Sequence, residues 1–201
     1  MSKDLQNNYI DKEAMHGAQN YSPLPVVLKK GDGVYLWDVN DKKYLDMMSA
    51  YSAVSHGHSH PELVETLVNQ SKKLAIASRA FYTEPLAEYI EKLSKLSGFT
   101  SVLPMNTGAE AVETAIKAAR RWGYFTKGVE EDKAEIIVAD GNFHGRTTTI
   151  VGFSSEPDYK KGFGPFSNGF KTAEYCSSNC DCSKVCELSI NSIESLITEN
   201  T

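Results

Sequence analysis

The sequence lacks a long hydrophobic run, a cluster of basic residues and an export signal. No apolar stretch approaches the ~20 residues that a membrane-spanning helix requires. The 21 lysines and arginines stand singly or in pairs against 26 acidic residues, so nucleic acid is not an expected partner. The first residues are too polar for a signal peptide and carry no transit-peptide arginines. We therefore expect a cytoplasmic protein that binds neither nucleic acid nor membranes.

Cysteine is scarce and confined to one segment. The four cysteines are Cys176, Cys180, Cys182 and Cys186. In a chain without an export signal, this clustering argues against a disulfide framework. Their spacing differs from the paired C-x-x-C of zinc ribbons, although four thiolates in a flexible loop could still close on zinc. We expect reduced thiols in a surface insertion near residues 172–188, with zinc binding as the open alternative.

Hydrophobic patterning predicts an α/β fold. With 41% hydrophobic residues, the chain can bury the core of one domain and part of another. Alternating patterns and turn residues predict a β meander, with strands at 26–30, 34–38 and 43–46 and a first turn at Gly31–Gly33. Apolar residues at helical spacing then predict helices that begin near Pro61 and Leu86.

A strand, a helix and a second strand are predicted next. Residues 101–105 read as a short buried strand, and a helix with Val112 and Ile116 on its inner face follows. Residues 135–139 read as the second strand, which completes a βαβ unit and predicts a parallel sheet covered by helices. After Phe153 the pattern is irregular, and only one further helix is predicted, over residues 188–197.

The junction between the first predicted strand and its helix is suited to an anion. Thr107 and Glu110 have the S/T-x-x-E spacing of a capping box. Gly108 allows a bound group to approach the backbone, while the free N–H groups and the dipole of the helix favour negative charge. The simpler interpretation is a helix cap alone, which contributes ~1 kcal/mol of stability.

The loop over residues 140–147 follows the second predicted strand. The carboxyl ends of parallel strands meet at one sheet edge, so both junctions are expected to border one pocket. Phe143 could lie flat against a heteroaromatic ring, and Arg146 could hold a carboxylate through two parallel hydrogen bonds. The alternative makes Phe143 an ordinary core residue and Arg146 part of a surface ion pair.

Three alternating histidines, His56, His58 and His60, superficially indicate a metal site. They would share one face if they lay on a strand. Pro61 follows directly, however, and favours a turn that leads into a helix. We expect this structural role rather than metal binding.

Taken together, the sequence resembles the amino-terminal half of the ornithine aminotransferases, which are class III aminotransferases that depend on pyridoxal 5'-phosphate (PLP). The matching segments are Gly17–Pro25, Tyr35–Asp38, Ala50–Val54, Ser78–Tyr82, Leu103–Gly108, Ala119–Tyr124 and Gly162–Phe166. The resemblance implies a short β meander followed by the amino-terminal part of the fold type I large domain, a mostly parallel sheet with helices on both faces. It also implies an amino-terminal segment over 1–51 and an incomplete PLP-binding domain over 52–201.

The resemblance assigns roles to individual residues. It implies that PLP is contacted by Thr107, Gly108, Ala109, Phe143 and His144, and that the substrate is contacted by Tyr21, Tyr51 and Arg146. His144 departs from the tryptophan that close relatives can carry. The implied reaction converts ornithine and 2-oxoglutarate into glutamate semialdehyde and glutamate, in an enzyme that is a homodimer when complete.

Two groups that this chemistry requires are not expected in this chain. The cofactor must form a Schiff base with a lysine, and its ring nitrogen needs a carboxylate; the family supplies both from its second half. Lys117, Lys127 and Lys133 lie on or just after the predicted helix, not on a later loop that faces the cofactor. We therefore expect this chain to be a fragment that contains no catalytic residue and is inactive alone. The open alternatives are an acetylornithine or 4-aminobutyrate aminotransferase, a non-catalytic binder of phosphate or PLP, and a zinc-holding module.

Overall fold

A computed structural model describes residues 2–175 and 182–201, with side chains described at 5–175 and 187–201. The chain divides into two compact units, Met1–Leu86 and Ala87–Thr201. The division into 1–51 and 52–201 that the sequence suggests stays a prediction. Among the described residues, no helix combines the length and the apolar character needed to cross a membrane.

The first unit contains a helix, a small antiparallel sheet and further helical segments. In chain order these are α1 (Ser2–His16), β1 (Leu28–Asp32), β2 (Tyr35–Asp38), β3 (Lys43–Leu45), α2 (Ser49–Ser52) and α3 (Pro61–Lys73). The helix α4 (Glu84–Ser97) begins here and continues in the second unit. The strands have the order β1-β2-β3, so the predicted meander is confirmed, as are the helices predicted from Pro61 and Leu86.

Two details of this unit differ from the prediction. Asp32 pairs with Tyr35, so the first turn consists of Gly33 and Val34 rather than Gly31–Gly33. The helix α1 was not predicted, because its apolar and polar residues do not separate onto two faces.

The second hairpin of the meander is organised by Asp38, which is only 3% exposed. Its Oδ1 accepts hydrogen bonds from the backbone N–H groups of Asn40 and Lys42, at 2.9 and 3.0 Å, and its Oδ2 accepts one from the Tyr44 hydroxyl at 2.8 Å. Burial alone raises the pKa of Asp38, but these hydrogen bonds outweigh it and hold the pKa below the ordinary value. The same hydrogen bond raises the pKa of Tyr44.

In its described residues, the second unit has a short parallel sheet and five further helical segments. In chain order these are α5 (Gly108–Trp122), a π-helix (Gly123–Lys127), β4 (Ile136–Ala139), α6 (Thr148–Gly152), α7 (Pro157–Lys160), β5 (Phe170–Ala173) and α8 (Cys182–Leu196). The strands β4 and β5 pair in parallel, from Ile136 opposite Phe170 to Ala139 opposite Ala173. A parallel sheet, the strand β4 and a helix near the end of the chain are therefore confirmed.

The predicted strand at residues 101–105 is wrong: among the described residues this segment pairs with no strand, and Leu103 is 68% exposed. A strand forms only where a neighbour accepts its backbone hydrogen bonds, and apolar residues alone do not supply that neighbour. The partner of β4 is instead β5, which is not predicted from the sequence because Phe170–Ala173 is short and follows an irregular stretch rich in glycine.

The core of the second unit joins α5 and α6 to the sheet. Its buried residues are Ile116, Ile150 and Phe153, and the partly buried residues packed against them are Ala109, Val112, Ile136, Val138 and Phe170. Ile150 is 1% exposed. Because Ala109 belongs to this set, the first turn of α5 is anchored to the core.

Candidate functional site

The start of α5 is fixed by side chains of its own first turn. Thr107 is the N-cap, and its Oγ1 accepts a hydrogen bond from the Glu110 N–H at 3.1 Å. The Glu110 carboxylate accepts one from the Asn106 N–H at 2.9 Å. The capping interaction predicted for Thr107 and Glu110 is confirmed, with Asn106 as the residue whose N–H group reaches Glu110.

This helix terminus has the properties of an anion cradle. Gly108 and Ala109 lie in the first turn, where backbone N–H groups have no carbonyl acceptor within the helix. A Cβ added at Gly108 would meet no atom within 4 Å, so there is open space beside the backbone at this position. Free N–H donors, a helix dipole and open space together fit a phosphate group.

The loop after β4 lies against this terminus. Gly145 has a φ of +119°, and a Cβ placed on it would be 2.9 Å from the Ala109 Cβ. The Thr147 hydroxyl donates a hydrogen bond to the Glu113 carboxylate on α5. The Asn142 side-chain amide donates to the Ala139 carbonyl at 2.6 Å. The structure therefore brings together the two segments that the sequence singled out.

Phe143 and Arg146 both contact one residue, Tyr159. The Arg146 Cζ lies 4.6 Å from the centre of the Tyr159 ring, and the rings of Phe143 and Tyr159 meet edge to face with centroids 6.2 Å apart. Phe143 is 63% exposed and is therefore not a core residue. Arg146 forms no ion pair with any side chain that the structure describes. Its guanidinium edge thus remains available for a carboxylate.

A small cleft surrounds the Arg146 side chain. It has a volume of about 210 Å³ and is lined by Arg146, Thr148, Val151, Asp158, Tyr159 and Phe163. Tyr159 lies on the four-residue helix α7 and is not predicted as a site residue from the sequence. Its only signal there is an aromatic residue shortly after the Arg146 loop. The His144 ring lies 6.2 Å from the ring of the core residue Phe153, centroid to centroid.

Two predicted substrate-binding residues meet in the first unit. The hydroxyls of Tyr21 and Tyr51 are 3.1 Å apart, and both side chains are well exposed. Tyr51 lies in α2, where Ser49, Ala50, Tyr51 and Ser52 have φ values of 47°, 45°, 56° and 71°. These four residues form a turn of left-handed helix, a conformation that costs an L-residue about 1–2 kcal/mol. Such strain is typically found at functional sites.

Asp46 and His58 lie beside this left-handed turn. The Asp46 Oδ2 and the His58 Nε2 are 2.7 Å apart. The pKa of Asp46 is lowered, chiefly by this hydrogen bond and then by the backbone N–H groups of Ser49 and Met48.

His60 is the N-cap of α3 and Pro61 its first residue, so the predicted turn into a helix is confirmed. In the part of the chain that the structure describes, no three metal-binding side chains form a group.

The cysteine cluster lies outside the described residues: the structure describes no side chain for Cys176, Cys180, Cys182 or Cys186. The predictions of reduced thiols or of a zinc site at these positions stay predictions.

Comparison with known proteins identifies the family to which this chain belongs. The family model for class-III aminotransferases matches residues 16–201, so the chain belongs to that family. The ornithine aminotransferase of Brevibacillus brevis is 54% identical over 169 residues, which cover 84% of this chain and 42% of that protein. The chain thus spans about two fifths of the length of this relative.

Solved structures confirm the fold. The ornithine aminotransferase of Toxoplasma gondii superposes with a TM-score of 0.83 at 36% identity, over 85% of this chain and 40% of that one. An acetylornithine aminotransferase from Elizabethkingia anophelis has a TM-score of 0.71 at 58% identity, over 85% of this chain and 41% of that one. The fold class predicted from the sequence, the amino-terminal part of a fold type I aminotransferase, is thereby confirmed.

Proposed function

We propose that this chain carries the phosphate cradle for PLP and the carboxylate-binding arginine of an ornithine aminotransferase. The complete enzyme would transfer the δ-amino group of ornithine to 2-oxoglutarate, giving glutamate semialdehyde and glutamate. The observation that supports this most is the contact of Gly145 with Ala109, because it places the loop that carries Phe143 and Arg146 against the anion cradle of α5. Similarity to ornithine aminotransferases supports the choice of reaction.

The residues present fit the cofactor. The N–H groups of Gly108 and Ala109 and the Thr107 hydroxyl would hold the phosphate, and the exposed face of Phe143 would cover the pyridine ring. His144 belongs to the same proposed site. Bound PLP supplies an electron sink for the carbon that carries the reacting amine.

Arg146 would bind the α-carboxylate of ornithine. The Arg146 Cζ lies 4.6 Å from the centre of the Tyr159 ring, and the guanidinium group would use its N–H edge to donate two parallel hydrogen bonds to the carboxylate. The reacting amine of ornithine is the distal one, so holding the carboxylate directs the other end of the molecule to the reacting centre. Tyr21 and Tyr51, whose hydroxyls are 3.1 Å apart, are also proposed as substrate-binding residues, as the resemblance to ornithine aminotransferases implies.

Titration calorimetry with PLP tests the cradle. Gly108→Val fills the open space beside the first-turn N–H groups and is expected to weaken PLP binding by about tenfold or more, the equivalent of one or two charge-assisted hydrogen bonds. Ala111→Val is the matched control, since Ala111 is an exposed residue of the same helix whose N–H group already bonds to the Thr107 carbonyl.

Pyridoxal without phosphate completes this test. Its binding is expected to be equal in the wild type and in Gly108→Val, because the cradle contacts only the phosphate. Equal weakening of both ligands, or no weakening of PLP, would contradict the cradle.

Arg146→Lys tests the carboxylate site. Lysine keeps the charge but cannot donate two parallel hydrogen bonds, so ornithine binding should weaken by roughly tenfold while PLP binding is kept. Arg121→Lys is the control: the Arg121 Cζ also lies 4.6 Å from an aromatic ring, that of Phe125. Unchanged ornithine binding in Arg146→Lys would assign the carboxylate to another residue.

A second candidate reaction is the transamination of acetylornithine. It is favoured by the 58% identity to the Elizabethkingia anophelis acetylornithine aminotransferase. Acetylation removes the α-ammonium charge and adds bulk, so the two substrates differ at the end that Arg146 would hold. Parallel titrations with ornithine and N-acetylornithine distinguish the candidates by which ligand binds more tightly.

The assembly and location of the complete enzyme belong to the same proposal: a homodimer in the cytoplasm that binds small substrates and no nucleic acid. Exposed apolar residues on α3, such as Leu63 and Leu67, support burial in a larger assembly. Sedimentation of the complete enzyme tests the dimer, and a monomer at micromolar concentration would contradict it.

A further inference from the structure

We infer that Asp46 is a positioning residue whose carboxylate fixes the left-handed turn Ser49–Ser52 and thereby holds the Tyr51 hydroxyl beside that of Tyr21. The role of the two tyrosines in binding ornithine rests on the proposed function. The role of Asp46 in shaping the turn rests on contacts within the first unit alone.

The Asp46 carboxylate contacts the turn and a fixed histidine at the same time. Its Oδ1 accepts hydrogen bonds from the N–H groups of Met48 and Ser49, at 3.0 and 2.9 Å, where the chain enters the left-handed conformation. Its Oδ2 bonds to the His58 Nε2 at 2.7 Å. The Asp46 side chain is 9% exposed, so water competes weakly for these hydrogen bonds.

His58 is itself held by the first hairpin of the meander. Its N–H donates to the Gly33 carbonyl at 2.8 Å, and its carbonyl accepts from the Gly33 N–H at 3.0 Å. Its side chain packs on Gly31, where an added Cβ would lie 2.7 Å from the His58 Cβ. The Asp46 N–H donates to the Val34 carbonyl at 2.9 Å. The hairpin therefore provides a rigid support for the carboxylate.

The turn needs such support because none of its residues is glycine. Four successive L-residues with positive φ relax toward other conformations unless the surrounding structure holds them. The turn's own backbone contributes the Tyr51 N–H to Met48 carbonyl bond at 3.0 Å and the Val54 N–H to Ser49 carbonyl bond at 3.1 Å. Losing the Asp46 carboxylate frees the entry of the turn and lets the Tyr51 ring move away from Tyr21.

NMR spectroscopy of the chain tests this positioning directly. In the wild type we expect NOEs between the rings of Tyr21 and Tyr51 and backbone shifts of left-handed geometry at residues 49–52. In Asp46→Ala the ring NOEs should be lost and those shifts should move, while the rest of the meander keeps its cross-strand NOEs. Asp32→Ala, an exposed aspartate of β1, is the control and should leave residues 49–52 unchanged.

Asp46→Asn is the conservative variant. Its amide oxygen can still accept hydrogen bonds from the backbone N–H groups of Met48 and Ser49. Its NH₂ group can donate a hydrogen bond to the unprotonated ring nitrogen of a neutral His58. It should keep the ring NOEs, which distinguishes positioning from a general need for the charge. If Asp46→Ala does not fold, the ring NOEs and the backbone shifts of Asp46→Asn are the measurements that test the inference. Intact ring NOEs in a folded Asp46→Ala, or a relaxed turn in Asp46→Asn, would overturn the inference.

Titrations with ornithine and PLP separate this inference from the proposed function. We expect Asp46→Ala to bind ornithine about tenfold more weakly than wild type, since displaced contacts lose affinity steeply, and to bind PLP unchanged. A wild-type chain that binds neither ligand contradicts the proposed function, and the NMR result still decides the role of Asp46. A wild-type chain that binds ornithine no better than Asp46→Ala overturns the link between the turn and the substrate.

Discussion

The close approach of Gly145 to Ala109 leads to a quantitative prediction. Gly145→Ala introduces a Cβ in a backbone conformation with φ of +119°, and places it 2.9 Å from the Ala109 Cβ and 3.7 Å from the Ile150 Cδ1. The backbone strain costs about 1–3 kcal/mol. Overpacking at the α5 contact adds about 1–3 kcal/mol more. We therefore expect the free energy of unfolding to fall by about 2–6 kcal/mol.

The two contributions can be measured separately. Gly141 has a φ of +69° and nothing within 4 Å of an added Cβ, so Gly141→Ala reports the strain alone. Ala109→Gly removes the methyl group that the new Cβ would meet. By itself this change lowers the free energy of unfolding by about 1 kcal/mol, because glycine is less favourable than alanine in a helix. In the double variant the overpacking disappears, so the two changes should be coupled favourably by about 1–3 kcal/mol.

Urea unfolding followed by circular dichroism measures the coupling energy between Gly145→Ala and Ala109→Gly. The experiment needs the wild type, both single variants and the double variant. A large destabilisation in Gly145→Ala that Ala109→Gly relieves supports the contact between the loop and α5. Strictly additive effects, or equal costs for Gly145→Ala and Gly141→Ala, would show that the loop and α5 do not meet at this point.

Three further predictions concern stability. Ile150→Ala should lower the free energy of unfolding by about 2–5 kcal/mol, because Ile150 is 1% exposed, whereas Ile190→Ala, at a 54% exposed position, should change it far less in the same urea experiment. Thr107→Ala should cost about 0.5–2 kcal/mol through loss of the N-cap, and an unchanged urea midpoint would show that the cap contributes nothing. The hydrogen bond from Lys171, and then that from Thr198, lower the pKa of Glu135. The ionised Glu135 carboxylate therefore contributes its full share to the free energy of unfolding above pH 4.5, its ordinary pKa, and this contribution is lost as the pH falls through the lowered pKa. Glu135→Gln should flatten that part of the pH dependence of the thermal midpoint, and a parallel loss of stability in wild type and variant would contradict this assignment.

The parts of the fold that the sequence predicted are those with a strong local signal. Strand alternation around Trp37, helical spacing in α3 to α5, and the side-chain cap at Thr107 all have local causes and were identified. The strand predicted at residues 101–105 failed because pairing is a tertiary property. The strand β5 was missed for the same reason, since its partner lies about thirty residues earlier in the chain.

The same distinction applies to the site. Thr107, Gly108, Phe143 and Arg146 stand in motifs whose chemistry can be read from residue types and spacing. The contact of Tyr159 with both Phe143 and Arg146 depends on how α7 packs, and no local pattern reports it. The left-handed turn at residues 49–52 contains no glycine that would have indicated positive φ, so it too emerges only from the structure.

We propose that the first turn of α5 and the loop over residues 140–147 together hold the phosphate and the ring of PLP. A crystal structure of the chain with PLP tests this most directly. We expect a phosphate oxygen within hydrogen-bonding distance of the Gly108 and Ala109 N–H groups, and the pyridine ring against the face of Phe143. A phosphate bound elsewhere, or a ring that does not contact Phe143, would contradict it.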